Sequence, residues 1–293
     1  MKLITYLDPV CGESVGVLTA GDCVIPVREA GLTCRTMNEL IRTMTEAERT
    51  ALKALAAEPG EKGIPLDRVQ LLAPIPEPLQ DVLCLGLNYA AHAKEAKAYS
   101  SDFTAEKDHA IYFSKRVSYA VPPMGGIPAH GDVTERLDYE VELAVILGKD
   151  AKNVPPEQVR NYIFGYSVCN DMSARDLQTR HKQWYFAKSL DGFFPMGPCI
   201  VTADEVAYPP ALKISSTVNG LLRQSGNTDQ FIHDIDEIVS ELSQGMVLKA
   251  GTIIATGTPK GVAMGMETPE FLKKGDVVTC SIAGIGDLTN TIV

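Results

Sequence analysis

No two of the seven cysteines form a CxxC pair, and no basic run reaches five Lys or Arg residues. There is also no apolar stretch of about 18 uncharged residues. Each absence removes a class of function. Without a basic run, and with a net charge of −10 and a pI near 5.0, a nucleic-acid binder is not expected. Without a long apolar run, no membrane-spanning helix and no membrane partner are expected. The N-terminal "MKLITYLDPVCGESVG" reaches Asp8 and Pro9 too early for the apolar heart of a signal peptide. An odd, dispersed cysteine set in a chain of 293 residues fits reduced thiols and a cytoplasmic location. Cys84 and Cys169, inside strand-like segments, read as small buried apolar residues. "TGTPKGV" (256–262) lacks the G-x-x-x-x-G-K-[ST] spacing of a phosphate-binding loop. Regular βαβ alternation, internal repeats and low-complexity tracts are absent too.

The length permits one large domain or a large one with a small one. Residues 1–72 read as a small N-terminal α+β module. "KLITYL" and "SVGVLTAGDCVIPV" alternate apolar and polar residues around turn glycines. "TMNELIRTMTEAERTALKALAA" reads as one helix, with a Thr36–Glu39 capping-box pattern and an inward face of Leu40, Met44, Ala47 and Ala51. "LLAPIPEPLQ", with Pro74, Pro76 and Pro78, is extended and stiff, a linker candidate. From residue 73 to 293 short glycine-punctuated strands dominate. Four helical segments interrupt them: "NYAAHAKEAKAY", "PPEQVRNY", "SARDLQTRHKQW" and "DIDEIVSELSQ". The expectation is an α+β protein whose larger domain is a mixed β-roll, barrel-like in shape.

One strand-like segment stands out chemically. "RLDYEVELAVILG" (136–148) places Glu140 and Glu142 two apart in an apolar run, with Asp138 before them. Residues i and i+2 of a strand share a face, with Cα atoms about 6.5–7 Å apart. Tyr139, Val141, Leu143 and Val145 then occupy the opposite, core-facing side. Burying one unpaired carboxylate costs several kcal/mol, and two side by side repel. A cation between them resolves both problems, and hard oxygen ligands favour Mg²⁺, Mn²⁺ or Ca²⁺ over zinc. Asp171, at the end of the apolar strand in "GYSVCNDMSARDLQ", is the candidate third ligand. The competing readings are a solvated polar face for Glu140 and Glu142, and a helix cap for Asp171.

"NYAAHAKE", "LDYEVELAVILGKDAKNV", "FGYSVCNDMSARDLQ", "FAKSLDGFFPMGP" and "IIATGTPKGV" occur in this order. Together they resemble the fumarylacetoacetate hydrolase superfamily, in particular its acylpyruvase-like branch, from about residue 80 to 293. The resemblance implies a β-roll catalytic domain, a homodimer, and bound Mg²⁺ or Mn²⁺, with Ca²⁺ as a substitute. It implies Glu140, Glu142 and Asp171 as metal ligands, His92 and Glu95 as a catalytic pair in a lid, and Arg175, Gln178, Lys188 and Thr258 as substrate-holding residues, with Lys188 also catalytic. The implied activity is hydrolysis of a C–C bond in a small 2,4-dioxo acid of the acylpyruvate or fumarylpyruvate type. Decarboxylation of an oxaloacetate-like acid, isomerisation of a 2-hydroxy-dienedioate, and an inactive metal-binding relative remain the alternatives. The chain departs from the family pattern at Ala187, Leu190 and Gly192, and in the approach to Lys115.

The chemistry is coherent with these residue types. Cleaving a 1,3-dicarbonyl generates an enolate, whose charge a divalent cation stabilises. Lys188 adds a second positive group, and the aromatic residues 185, 186, 193 and 194 around it suggest that it is buried. Arg175 and Gln178, three apart on a helix, face one side and can orient a carboxylate. His92 and Glu95, also i, i+3, can touch; their local alternative is a weak surface contact. Gly86 and the polar 100–108 loop flank that helix, as a closing segment would require.

Overall fold

A computed structural model of the chain describes residues 1–58, 60–105 and 108–293, so Glu106 and Lys107 of the 100–108 loop fall outside it. The chain folds as the expected mixed α+β structure, with two main sheets that do not close into a barrel. Among the described residues the larger sheet has eleven strands. It runs from Ile64–Pro65 and Cys23–Pro26 through Gly12–Leu18, Lys2–Asp8, Met196–Thr202, Ile163–Asn170, Val141–Leu147 and Ile253–Ala255 to Val82–Gly86 and Ile111–Lys115, with Gln70–Leu71 paired to Lys2–Asp8 off this path. The first strand joins the rest through Lys2 opposite Val201 and Leu3 opposite Ile200. The N-terminal strands and the larger segment therefore share one sheet. The second sheet has five strands: Leu221–Asn227, Lys213–Val218, Val277–Ile282, Gly286–Ile292 and Gly126–Ile127.

Alternation along Val141–Leu147 decides how the layers assemble. Val141, Leu143, Val145 and Leu147 point into a core shared with Ile214, Val278, Cys280 and Leu288 of the second sheet. Ala144 and Ile146 point the other way, into a core with Met37, Leu40, Ile41 and Leu52 of the N-terminal helices. Cys84 and Cys169 are buried in that second core, as small apolar residues. Glu142 lies on this second face, at the end of the strand nearest the site. The proline stretch 71–80, expected to be extended, instead bends at residues 74–77 and 79–80, and Ala73, Pro74, Ile75 and Pro76 are buried. Thr5 Oγ1 donates to the Pro74 carbonyl at 2.7 Å.

The helices are α1 (Met37–Thr43), α2 (Glu46–Ala57), α3 (Ala90–Tyr99), α4 (Arg175–Arg180), α5 (Tyr185–Lys188) and α6 (Ile235–Gly245). The single N-terminal helix read from sequence is thus two. Thr45 caps α2: its hydroxyl accepts from Glu48 N–H while the Glu48 carboxylate accepts from Thr45 N–H. This second capping box breaks the run at Met44, so Ala47 and Ala51 are exposed and Leu52 is the buried anchor of α2. Leu52→Ala is expected to cost about 3 kcal/mol of stability, read by urea denaturation, with divalent-ion affinity unchanged. "PPEQVRNY" forms a 3₁₀ segment, Pro156–Tyr162. Among the described residues no helix is long and apolar enough to cross a membrane.

Candidate metal centre and active site

Antiparallel pairing builds the carboxylate cluster. Val141 lies opposite Asn170 and Glu142 opposite Cys169, which brings Asp171, just past the end of its strand, beside Glu140. The Asp171 N–H donates to the Glu140 carbonyl at 2.8 Å, and Asn170 Oδ1 accepts from Glu140 N–H at 2.9 Å. Glu140, Glu142 and Asp171 are all buried, and each offers a carboxylate oxygen within 4.8 Å of the others. Oxygens on opposite sides of an ion with bonds of about 2.1 Å lie about 4.2 Å apart. The cluster therefore suits a hard divalent cation after small side-chain shifts. Asp171 caps no helix: the residue at the N-terminus of α4 is Ala174, and it makes no side-chain cap bond. The solvated-face reading of Glu140 and Glu142 fails on their burial.

Three buried cations surround the acids. Lys188 Nζ donates to Glu140 Oε2 and Asp171 Oδ2, both at 2.6 Å. Arg175 Nη2 lies 2.6 Å from Glu140 Oε1. Lys115 Nζ pairs with Asp171 Oδ1 and donates to the carbonyls of Met172 and Phe193. Burial alone would raise the Glu140 pKa, but Lys188 and Arg175 outweigh it and hold the group well below the usual carboxylate range. Among the described residues Glu142 has no cation of its own. Its Oε2 accepts only from Gly257 N–H, at 2.8 Å. Burial pushes its pKa well up, and the charges of Asp171 and Glu140 push it further. A cation entering the cluster therefore competes with a proton for Glu142. Affinity for Mn²⁺ is expected to fall as pH drops below that raised value, by up to about tenfold per unit. Mn²⁺ titrations repeated at several pH values check this; an affinity that does not fall as pH is lowered would contradict it.

A small cavity of about 20 Å³ opens onto Glu140 and Glu142 and is also lined by His92, Arg175, Gln178, Lys188 and Thr258. It has room for one water-sized body. Leu87, Phe103, Phe113, Trp184 and Met264 form its apolar side. Gly86 is required here, because a Cβ would sit 2.3 Å from the Trp184 ring. His92 projects from α3 and is buried; its Nδ1 has no hydrogen-bond partner among the described residues and lies 3.7 Å from Glu95 Oε2. The Glu95 carboxylate accepts from Gly261 N–H at 3.1 and 3.0 Å. Gly261 has φ +106°, and a Cβ there would meet Arg223 O at 2.0 Å. Only glycine lets this turn present its N–H to α3. The Thr258 hydroxyl is already committed, donating to Val141 O at 2.8 Å and accepting from Gln224 Nε2 at 2.7 Å.

All the site residues singled out from sequence thus converge on one place, with Glu95 and Asp171 just behind the cavity wall. Sequence reasoning left three groups without a role. Lys115 is fully buried against Asp171. Gln224 receives Val141 N–H and holds Thr258 from the second sheet. Asp138, which shares the i, i+2 spacing of the two glutamates, binds Arg175 Nε at 2.8 Å instead of joining the cluster.

Residues 81–293 match the family profile described as fumarylacetoacetate (FAA) hydrolase, C-terminal. The chain belongs to the fumarylacetoacetate hydrolase family. Within it, the chain is 43% identical over 227 residues to the oxaloacetate tautomerase YisK of Bacillus subtilis, covering 78% of this chain and 74% of that protein. A fumarylacetoacetate hydrolase structure from the psychrophilic Exiguobacterium antarcticum superposes with a TM-score of 0.81 at 38% identity, covering 100% of this chain and 99% of that one. The maleylpyruvate hydrolase of Sphingobium sp. SYK-6, solved in complex with manganese(II) ion and pyruvate, gives 0.78 at 30% identity, with 100% and 99% coverage. The family thus spans hydrolase and tautomerase chemistry on one fold.

Proposed function

We propose that this chain is a divalent-metal-dependent hydrolase that cleaves a C–C bond in small 2,4-dioxo acids of the acylpyruvate type, with Mg²⁺ or Mn²⁺ held by Glu140, Glu142 and Asp171. The observation that carries the reading is one cavity lined by two acids of the carboxylate cluster, Glu140 and Glu142, and by a histidine whose Nδ1 has no hydrogen-bond partner among the described residues. A bound divalent ion supplies Lewis-acid stabilisation of the charge that develops on an enolate oxygen. Lys188 adds a buried ammonium on the same side, already 2.6 Å from two of the acids. Arg175 and Gln178, joined by a 2.9 Å hydrogen bond, orient the substrate carboxylate. His92 takes a proton from the water that attacks the distal carbonyl, Glu95 steadies the imidazolium that results, and as the C–C bond breaks the proton passes to the carbon of the departing enolate. The present 3.7 Å separation suits a pair that tightens when substrate binds. Leu87, Phe103, Phe113 and Trp184 exclude bulk water. Since the cavity holds a single water-sized body, α3 and the Phe103 segment must move aside to admit an oxo acid.

The 43% identity to an oxaloacetate tautomerase favours a second reading, in which His92 and Glu95 only shuttle a proton between carbon and oxygen. The two readings differ in products. Purified protein with Mn²⁺ is assayed against acetylpyruvate, oxaloacetate and 2-hydroxyhepta-2,4-dienedioate. Release of pyruvate and acetate from acetylpyruvate supports the hydrolase. Enol–keto interconversion of oxaloacetate without cleavage of acetylpyruvate selects the tautomerase.

A further inference from the structure

We infer that Asp138 is a positioning residue: it fixes Arg175 for substrate binding and anchors the turn that seats the His92–Glu95 pair. The inference rests on the functional reading above, in which Arg175 orients the oxo acid. Asp138 is fully buried, and its two oxygens accept four hydrogen bonds. Oδ1 takes Tyr139 N–H at 2.9 Å and Ala263 N–H at 2.8 Å. Oδ2 takes Met264 N–H at 3.0 Å and Arg175 Nε at 2.8 Å. Arg175 in turn reaches Glu140 and Gln178, so one guanidinium is held from three sides. The turn at Ala263–Gly265 follows Gly261, whose N–H holds Glu95, and Val262 and Met264 pack with Leu87, Ala96 and Phe103 under α3. Asp138 therefore ties the carboxylate end of the site to the helix bearing His92 without lying among the three clustered acids. A carboxylate is needed in this position. Whichever way an amide turned at residue 138, its NH₂ would face two N–H donors.

The test compares Asp138→Asn, Arg175→Gln and the double variant, titrating Mn²⁺ first and then oxalate in the presence of Mn²⁺. Oxalate carries the carboxylate and adjoining oxygen of a 2-oxo acid. Trp184, the only tryptophan, lines the cavity and reports oxalate binding by fluorescence. In Asp138→Asn, oxalate affinity is expected to fall at least about tenfold more than Mn²⁺ affinity, since a misplaced orienting group weakens ligand binding more than ion retention. Arg175→Gln should show the same loss, and the double variant should lose no more than Arg175→Gln alone. Should Asp138→Asn not fold, Asp138→Glu, which keeps the acceptor oxygens but displaces them by one methylene, takes its place in both comparisons with the same expected outcome. Parental oxalate affinity in Asp138→Asn, an equal loss of Mn²⁺ and oxalate, or additive losses in the double variant would overturn the inference and leave the functional reading in place. A parent protein that binds no oxalate with Mn²⁺ overturns the functional reading, and this inference with it.

Discussion

Glu142→Gln is expected to leave the fold intact while abolishing divalent-ion retention and turnover. Among the described residues Glu142 is the one acid of the cluster without a cationic partner, and burial beside two other acids disfavours its charged form when no ion is bound. Glutamine keeps the shape without the disfavoured charge, and its carbonyl can still accept from Gly257 N–H. Folding stability should therefore change by less than about 1 kcal/mol. The loaded state is different, because it needs the anion. Losing one of three acidic ligands should weaken Mn²⁺ by at least about a hundredfold. An ion that stabilises a developing enolate contributes several kcal/mol, so turnover at limiting Mn²⁺ should drop by about a thousandfold. Glu140→Ala makes the informative contrast. It strips Lys188 and Arg175 of a shared buried partner, and breaking such a pairing costs about 3–5 kcal/mol. Thermal melts and Mn²⁺ titrations on both variants separate a ligand from a structural ion pair. Full turnover by Glu142→Gln after metal removal would refute the assignment of the cluster.

His92→Ala should reduce kcat by about 10²- to 10⁴-fold, the usual contribution of a positioned acid–base group. Mn²⁺ affinity should stay near the parent value, because His92 is not among the three clustered carboxylates. Its side chain is buried on α3, so some stability is lost as well, and melts must show the variant folded at the assay temperature. Glu95→Gln should give a smaller loss. The Gly261 N–H bond to a side-chain oxygen survives in that variant, while the charge that favours the imidazolium does not. An unchanged kcat in His92→Ala would remove the histidine from the mechanism under both the hydrolase and the tautomerase readings.

How much of this was legible in the sequence follows from the range of each interaction. Glu140 and Glu142 could be paired because strand periodicity is local, and Asp171 because it ends a strand that the apolar pattern delimits. Whether Asp171 capped a helix could not be decided until α4 was seen to begin at Arg175. The break at Met44 escaped because the run carries two caps nine residues apart, Thr36–Glu39 and Thr45–Glu48, and both are made, one at the start of each helix. The roles of Asp138, Lys115 and Gln224 depend on partners brought close only by the fold. Met264 N–H reaches Asp138 across 126 positions, and Gln224 reaches Val141 across 83. No periodicity encodes such contacts. The continuity of the N-terminal strands with the large sheet has the same origin, because Lys2 meets Val201 only in three dimensions.

The central claim is that Glu140, Glu142 and Asp171 jointly hold one divalent ion at the floor of an oxo-acid site. Anomalous diffraction from a crystal soaked with Mn²⁺ and oxalate tests it most directly. The expected result is a single strong peak within about 2.5 Å of an oxygen from each of the three carboxylates, with oxalate on its open side facing His92. A peak elsewhere, or none at this cluster at saturating Mn²⁺, would contradict it.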